Sequence, residues 1–186
     1  MTLAIQCGRL IDGSGRDPVR GAVVIIEGDT ITEVRESGGI PNGAQVIDAS
    51  GLTVMPGMID CHVHLSSSPP KTMEQRLATP FSLTVAEALG NARKTLDSGF
   101  TSVRDAGGTP RGVKRAIEQG RFPGPRMRIA VSAISQTGGH GDATMPNGVR
   151  IRVPNAELPE NLVDGPESAR KTAREILRAG ADQIKI

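Results

Sequence analysis

The chain has 186 residues, a formal net charge of +2 and only two cysteines. Lysine and arginine are dispersed rather than clustered with aromatic residues, which argues against a nucleic-acid surface. Two cysteines cannot form a disulfide framework and are typical of a reducing compartment. The N-terminus lacks the basic start and apolar run of a signal peptide, and no segment approaches the ~20 apolar residues of a membrane span. We therefore expect a cytoplasmic protein that binds neither nucleic acid nor a membrane.

Residues 1–55 show the pattern of short β-strands separated by turns. The candidate strands are LAIQCGRLI, AVVIIEG, DTITEV and AQVIDASG, and the Gly and Asp residues between them are typical of tight turns in a small sheet. The run from Ala22 to Ile26 is apolar without alternation, which indicates a strand covered on both faces. This segment is predicted to form a small β domain.

From residue 56 onward the pattern changes to strands that alternate with helices. The four candidate strands are MIDCHVHL, TSVRDAGG, RMRIAVSAIS and ADQIKI. Such alternation predicts an α/β architecture with parallel strands and right-handed crossovers. Residues 56–186 amount to roughly half of an eight-stranded βα barrel. A terminal strand leaves an open edge, so we expect a further piece of the protein to close the sheet.

Helices are predicted in three places between these strands. The first long helix covers residues 84–99, with Thr84 and Glu87 as a capping box at its start and Gly99 at its end. A short helix is predicted in TPRGVKRAIEQG. The second long helix begins at Pro166, a residue favoured in the first helical turn, and ends at Gly180.

Two of the three histidines, His62 and His64, lie in the stretch IDCHVHL. On a strand, side chains two residues apart point to one face about 6–7 Å apart, so both imidazoles can reach one ion at the ~2.0–2.1 Å that zinc requires. Asp60 lies on the same face and is placed to orient a ligand, whereas Cys61 is expected on the opposite, buried face. Ordinary polar residues at a strand end are the alternative, because two ligands do not complete a metal site. The start of a βα loop favours the metal site.

Lys185 alternates with Ile184 and Ile186 in ADQIKI. The lysine would therefore point into a barrel when the isoleucines pack outside it. A buried ammonium without a partner is costly, and reaction with carbon dioxide would turn the amine into an anionic carbamate able to bridge two metal ions. A lysine that reaches solvent from a terminal strand is the alternative.

His140 stands in SQTGGHGDATMPNG, at the start of a long stretch with little regular pattern. Such long loops are usually functional or disordered. Flanking glycines let the backbone approach a ligand, while His140 and Asp142 offer polar contacts. A mobile loop whose glycines only turn the chain is the alternative.

Arg104 and Asp105 end the second barrel strand in SVRDAGG. We expect them to bond to each other or to neighbouring backbone, which is a structural role.

The motif VMPGMIDCHVHL resembles the first barrel strand of the amidohydrolase superfamily, and the segment before it resembles part of that family's accessory β-sandwich. SGFTSVRDAGG, TGGHGD and AGADQIKI resemble more narrowly the branch of metal-dependent prolidases and related dipeptidases, which is close to imidazolonepropionase. The resemblance spans essentially the whole chain. It implies the first half of a (β/α)8 TIM-type barrel in residues 56–186, preceded by part of a small β-sandwich in residues 1–55.

The resemblance also implies roles for four residues. His62 and His64 match the ligands of the more buried metal, and Lys185 matches the carboxylated lysine that bridges two metals. His140 matches a histidine that contacts the substrate carboxylate or the carbonyl under attack. The family's remaining histidine ligands and its catalytic aspartate would lie beyond residue 186, so no catalytic residue is expected within this chain.

The resemblance implies hydrolysis of a C–N amide bond in a dipeptide or N-acyl amino acid, as in a prolidase or an Xaa-Arg-type carboxypeptidase. The implied cofactors are two divalent ions, with zinc the expected metal, and Lys185 carboxylated by CO2. The implied partner is a small substrate with a carboxylate. The resemblance is also compatible with a homo-oligomer of this protein. One alternative is a mononuclear deaminase or imidazolonepropionase-like enzyme, which needs no bridging carbamate. Another is a non-catalytic half-barrel that needs a partner segment.

Overall fold

The computed structural model describes residues 1–67, 72–150 and 157–186. They form two compact units, Met1–Pro56 and Gly57–Ile186. The first unit contains only β-strands, and the second contains a parallel sheet with helices. Among the described residues, none of the helices is long and apolar enough to cross a membrane.

The first unit is a five-stranded sheet. Its strands are β1 (Thr2–Leu10), β2 (Val19–Arg20), β3 (Val23–Glu27), β4 (Thr30–Arg35) and β5 (Gln45–Val54). Strand β1 pairs antiparallel with β2 and β3 and parallel with β5, while β3 pairs antiparallel with β4. The short β2 lies outside the predicted strands.

Strand β3 is buried on both of its faces. Ala22 and Val24 pack in a cluster with Cys7 and Leu10, whereas Val23 and Ile25 pack in a separate cluster with Ala4. Successive side chains of a strand point to opposite faces, so the two clusters lie on the two sides of β3. This confirms the two-sided burial predicted from the unbroken apolar run.

The second unit has three parallel strands in the order β6-β7-β8. The strands are β6 (Met58–Val63), β7 (Phe100–Asp105) and β8 (Arg126–Ile129). The helices are α1 (Met73–Ala78), α2 (Phe81–Asp97), α3 (Arg111–Glu118) and α4 (Pro166–Arg178), and a 3-10 turn covers Leu65–Ser67. Apolar side chains from the strands, α2, α3 and α4 form one core, which includes Ala92, Val103, Val113, Ile129 and Ile176.

The predicted capping box of the first long helix is wrong. Helix α2 begins at Phe81, directly after Pro80, so Thr84 lies inside the helix. A capping box occurs instead at α1, where Thr72 and Gln75 bond reciprocally. The predicted ends are confirmed, because Gly99 and Gly180 adopt φ values of 91° and 100° just after α2 and α4, a conformation that glycine adopts without steric cost.

The predicted fourth barrel strand is not a regular strand. Strand β8 stops at Ile129, and Val131 has a φ of 62° at the centre of a γ-turn in which the Ser132 amide donates to the Ala130 carbonyl at 2.7 Å. Beyond this turn only an isolated parallel bridge joins Ala133 to Lys185. The third and fourth strands of the prediction therefore meet at this bridge and through a separate hydrogen bond from the Asp182 amide to the Ile129 carbonyl at 2.8 Å. They do not form a continuous ladder, because the γ-turn lies between these contacts.

Candidate metal centre

His62 and His64 lie at the carboxyl end of β6, where the strand is irregular. Asp60 pairs with Val103 and Val63 pairs with Asp105, so β6 contains one more residue than β7 between these points. Such a bulge re-aims side chains and is frequent beside active sites. Strict alternation along the strand predicted a buried Cys61. The bulge explains why Cys61 is exposed instead.

The two imidazole rings lie next to each other on one side of the strand end. Their centroids are 5.3 Å apart and their planes are inclined by 60°, and both residues are exposed in the described chain. Two imidazoles bound to one tetrahedral zinc at ~2.1 Å have centroids about 5 Å apart. The pair therefore has the spacing that two ligands of one metal ion require.

The orientation of the His64 ring is set by a backbone carbonyl. Nδ1 of His64 lies 2.9 Å from the carbonyl oxygen of Gly107. A carbonyl can only accept, so Nδ1 is the donor of this bond, and in the neutral ring the lone pair is then on Nε2. This is the tautomer that can bind a metal through Nε2, with the backbone as its outer partner.

Asp60 acts on the main chain of the histidine segment. Its Oδ1 accepts a hydrogen bond from the backbone amide of His62 at 2.9 Å. The predicted role of orienting a ligand is thus met only at the backbone of His62, and Asp60 has no hydrogen bond to either ring among the described residues.

Asp105 is a buried carboxylate next to the histidine segment. It accepts hydrogen bonds from the Leu65 amide at 2.9 Å, the Gly107 amide at 3.0 Å and the Thr109 hydroxyl at 2.7 Å. Burial raises the pKa of Asp105, while the three donors act in the opposite direction. Each carboxylate oxygen is satisfied, which is what a buried charge requires.

Arg104 also bonds to the main chain of the first barrel strand. Its Nε donates to the carbonyl of Cys61 at 2.7 Å. Arg104 and Asp105 thus both bond to nearby backbone, which is one of the two arrangements expected for them.

Lys185 lies outside the three-stranded sheet and forms an isolated parallel bridge with Ala133, which follows β8. The Ile134 amide donates to the Lys185 carbonyl at 2.8 Å, and the side chain of Ile184 packs against the core. Lys185 itself is half-buried. The described residues bring His62 and His64 together but contain no group of three or more His, Cys, Asp or Glu side chains that could hold a metal.

His140 is exposed in the loop that follows β8. Asp142 orders this loop by accepting hydrogen bonds from the Gly138 amide at 2.8 Å and from the Thr144 amide and hydroxyl at 3.0 and 2.6 Å. These donors lower the pKa of Asp142. Within the described residues no hydrogen bond joins His140 to the histidine pair, and residues 151–156 of the same stretch lie outside the described residues.

Sequence reasoning missed the carbonyl of Gly107 as the partner of His64. One signal was present, because an Asp side chain often bonds to the amide two residues later in a turn, and Asp105 precedes Gly107 by two positions. Gly107 has a φ of 135°, which side chains with a Cβ rarely adopt. The contact with His64, 43 positions away, left no local signal.

Parallel βα units that carry polar side chains at the carboxyl ends of their strands form the arrangement of a βα-barrel enzyme. Residues 53–186 match the profile of the amidohydrolase family. The match covers most of the chain, and the chain belongs to this family.

Individual relatives point to the same family. The chain is 31% identical to ochratoxinase from Aspergillus niger over 98% of its length, which is 41% of that protein. It also resembles the structure of a prolidase in complex with N-methylphosphonate-L-proline, to which it is 37% identical with a TM-score of 0.86. That match covers 100% of this chain and 46% of the prolidase chain. The structure of an Xaa-Pro dipeptidase with bound methionine is 29% identical, with a TM-score of 0.84. This match covers 99% of this chain and 46% of the dipeptidase chain.

The chain therefore spans less than half of the length of these relatives. What it matches is their N-terminal part, the β-sandwich and the start of the TIM barrel. The predicted fold class is confirmed by these matches.

Proposed function

We propose that this chain forms the first half of a binuclear metal-dependent amidohydrolase that cleaves the C–N amide bond of a dipeptide or an N-acyl amino acid. The observation that carries this proposal is the pair His62 and His64, with ring centroids 5.3 Å apart and the Nε2 of His64 left free by the Gly107 carbonyl. Family membership supports hydrolysis of an amide bond. The hydrolase relatives support the same chemistry.

His62 and His64 would hold the more buried of two divalent ions, with zinc as the expected metal. Such ions, when bound, lower the pKa of a water molecule and polarise a carbonyl group. The histidines would hold the ion, since the His64 ring is oriented by a hydrogen bond at Nδ1 that leaves Nε2 as the available nitrogen. A proton acceptor for the reaction is expected outside residues 1–186, where the family resemblance places its aspartate.

Lys185 would bridge the two ions as a carbamate. Its neutral amine would add to CO2: the nitrogen lone pair forms one N–C bond, the electron pair of one C=O π bond moves to oxygen, and the nitrogen releases one proton. The resulting carbamate carries one negative charge and two oxygen donors. An eight-stranded barrel has an interior just wide enough for side chains to fill, so inward side chains of its first and fourth strands can meet. The bridge between Ala133 and Lys185 supports placing Lys185 at the fourth position.

The proposed substrate has a free carboxylate next to the scissile bond. This rests on the resemblance to a prolidase bound to N-methylphosphonate-L-proline and to an Xaa-Pro dipeptidase. His140 would contact the carboxylate or the scissile carbonyl, from a loop whose shape is held by Asp142.

The test uses the protein in its full length, loaded with zinc and supplied with bicarbonate. It is assayed against Xaa-Pro and Xaa-Arg dipeptides and N-acyl amino acids, each beside the same compound with an amidated C-terminus. We expect hydrolysis of a subset of the free acids and much slower hydrolysis of their amides. If none of these compounds is hydrolysed, the peptidase assignment is wrong.

The number of metals separates this proposal from a mononuclear deaminase-like enzyme. Lys185→Ala is expected to reduce the bound metal from two ions to one, measured by elemental analysis after gel filtration. Lys171→Ala is the matched control, because the Lys171 side chain is 77% exposed on α4. A wild-type protein that binds one ion, with no change in Lys185→Ala, would establish the mononuclear alternative.

A further inference from the structure

We propose that Asp105 is the positioning residue for His64, acting through the Leu65 and Gly107 backbones, and that it thereby selects the metal-binding tautomer of the His64 ring. The metal role of His64 rests on the proposed function. The positioning itself follows from contacts within this chain and is tested without metal.

The first contact fixes the backbone next to His64. Leu65 donates its amide to Asp105 at 2.9 Å, and its carbonyl accepts from the side chain of Asn91 on α2 at 2.8 Å. The Leu65 side chain is buried in the core. Leu65 is thus held at its amide, its carbonyl and its side chain, so the main chain that carries the imidazole of His64 has little freedom.

The second contact fixes the acceptor of the His64 ring. Asp105 accepts from the Gly107 amide at 3.0 Å, and the carbonyl of the same residue lies 2.9 Å from Nδ1 of His64. The Ala106 amide between them donates to the Val63 carbonyl at 2.8 Å. The segments on either side of the ring are therefore connected by one carboxylate.

The two carboxylate oxygens of Asp105 accept hydrogen bonds from different donors. Oδ1 accepts from Gly107, whereas Oδ2 accepts from both Leu65 and Thr109. An asparagine at this position has one oxygen and one NH2 group. Whichever way its amide is turned, the NH2 faces a backbone N–H of Gly107 or Leu65, so one backbone anchor of His64 is lost.

Thr109 supplies a matched control. It is as fully buried as Asp105 and bonds to the same carboxylate, but it has no hydrogen bond to the His64 segment among the described residues. Thr109→Val keeps the shape of the side chain and removes only this third donor. A general loss of stability would affect both variants, whereas loss of positioning would affect Asp105→Asn alone.

In the experiment, the full-length, metal-free protein is labelled with 15N at histidine, and NMR spectra of the ring nitrogens are recorded above pH 8. The His64 signals are assigned by their loss in His64→Asn. We expect the wild type and Thr109→Val to show Nδ1–H with an unprotonated Nε2, and Asp105→Asn to show a mixture that includes Nε2–H. An unchanged His64 tautomer in folded Asp105→Asn would overturn the proposal.

A second measurement applies if Asp105→Asn does not fold. Hydrogen exchange of the wild-type amides of Leu65 and Gly107 is expected to be at least 100-fold slower than that of the amides of Gln136 and His140, two exposed residues in the loop after β8 whose amides have no hydrogen-bond partner among the described residues. Exchange at the rate of that loop would overturn the proposal.

A third measurement separates this inference from the proposed function. If zinc binds, its Kd in Asp105→Asn is expected to rise 10–100-fold, while that of Thr109→Val changes less than about threefold. A shifted tautomer with equal zinc affinity in all three proteins would keep the positioning role and reject the metal site.

Discussion

The carbonyl oxygen of Gly107 lies 2.9 Å from the Nδ1 atom of His64. This contact joins the loop after the second barrel strand to the end of the first and leaves the Nε2 lone pair of the ring free. His62 has no such ring partner among the described residues, and its amide is held by Asp60 instead. The two rings of the pair are therefore constrained differently, and His64 is the more fully oriented of the two.

Loss of His64 is expected to affect metal binding, whereas loss of His140 is expected to affect substrate binding. His64→Asn removes one proposed ligand and should weaken zinc binding at least 100-fold in a competition titration with a chelating dye. His140→Asn should leave zinc affinity within about threefold and raise KM for a free-acid dipeptide. Equal zinc affinity in all three proteins would contradict the metal role of His64, and an unchanged KM would contradict the substrate role of His140.

Two glycines near α2 are expected to respond to alanine with opposite signs. Gly90 lies inside the helix with open space around its Cβ position, so Gly90→Ala should stabilise the protein by roughly 0.5–1 kcal/mol. Gly99 has a φ of 91°, and a Cβ there would meet the side chain of Met58 at 3.2 Å. Gly99→Ala should destabilise by about 1–2 kcal/mol. Urea unfolding measures both, and stabilisation by Gly99→Ala would contradict the helix end described above.

Asp182 is expected to make stability depend on pH. Burial acts to raise its pKa, but hydrogen bonds from Lys114 and from the Ile129 amide outweigh it, and the pKa is lowered overall. A lowered pKa in the folded state gives stability above the unfolded value of about 3.9, which is lost as pH falls through the folded value. Asp182→Asn should therefore destabilise the protein at pH 7, and its difference from wild type should shrink below pH ~4.

The control for this pH dependence is Asp97→Asn. Asp97 pairs with Arg93 on the surface of α2, where both side chains are more than half exposed, and such pairs contribute little to stability. Unfolding by urea at pH 7 and pH 3 should show a pH-dependent difference for Asp182→Asn alone. A constant difference between wild type and Asp182→Asn at both pH values would show that the ionised carboxylate is not what stabilises this site.

Local patterns predicted most helices and strands because their signals lie within a few residues. The unbroken apolar run of β3 and the glycines after α2 and α4 are examples. The capping box at Thr84 failed because Pro80 and Phe81 allow the helix to start earlier. The regular pairing predicted for the third and fourth strands is interrupted where Val131 adopts a positive φ, a conformation that its β-branched side chain disfavours and that no local pattern predicts.

By itself, the sequence determined the family resemblance, the βα alternation and the placement of two histidines two residues apart at a strand end. These properties depend on residue type and spacing alone. The tertiary structure decided which atoms orient those histidines. Asp105 reaches the Leu65 amide across 40 positions, and the parallel pairing of β6 and β7 brings the ends of the two strands together for this contact. Register and burial arise from packing between segments distant in sequence, so no local pattern could specify them.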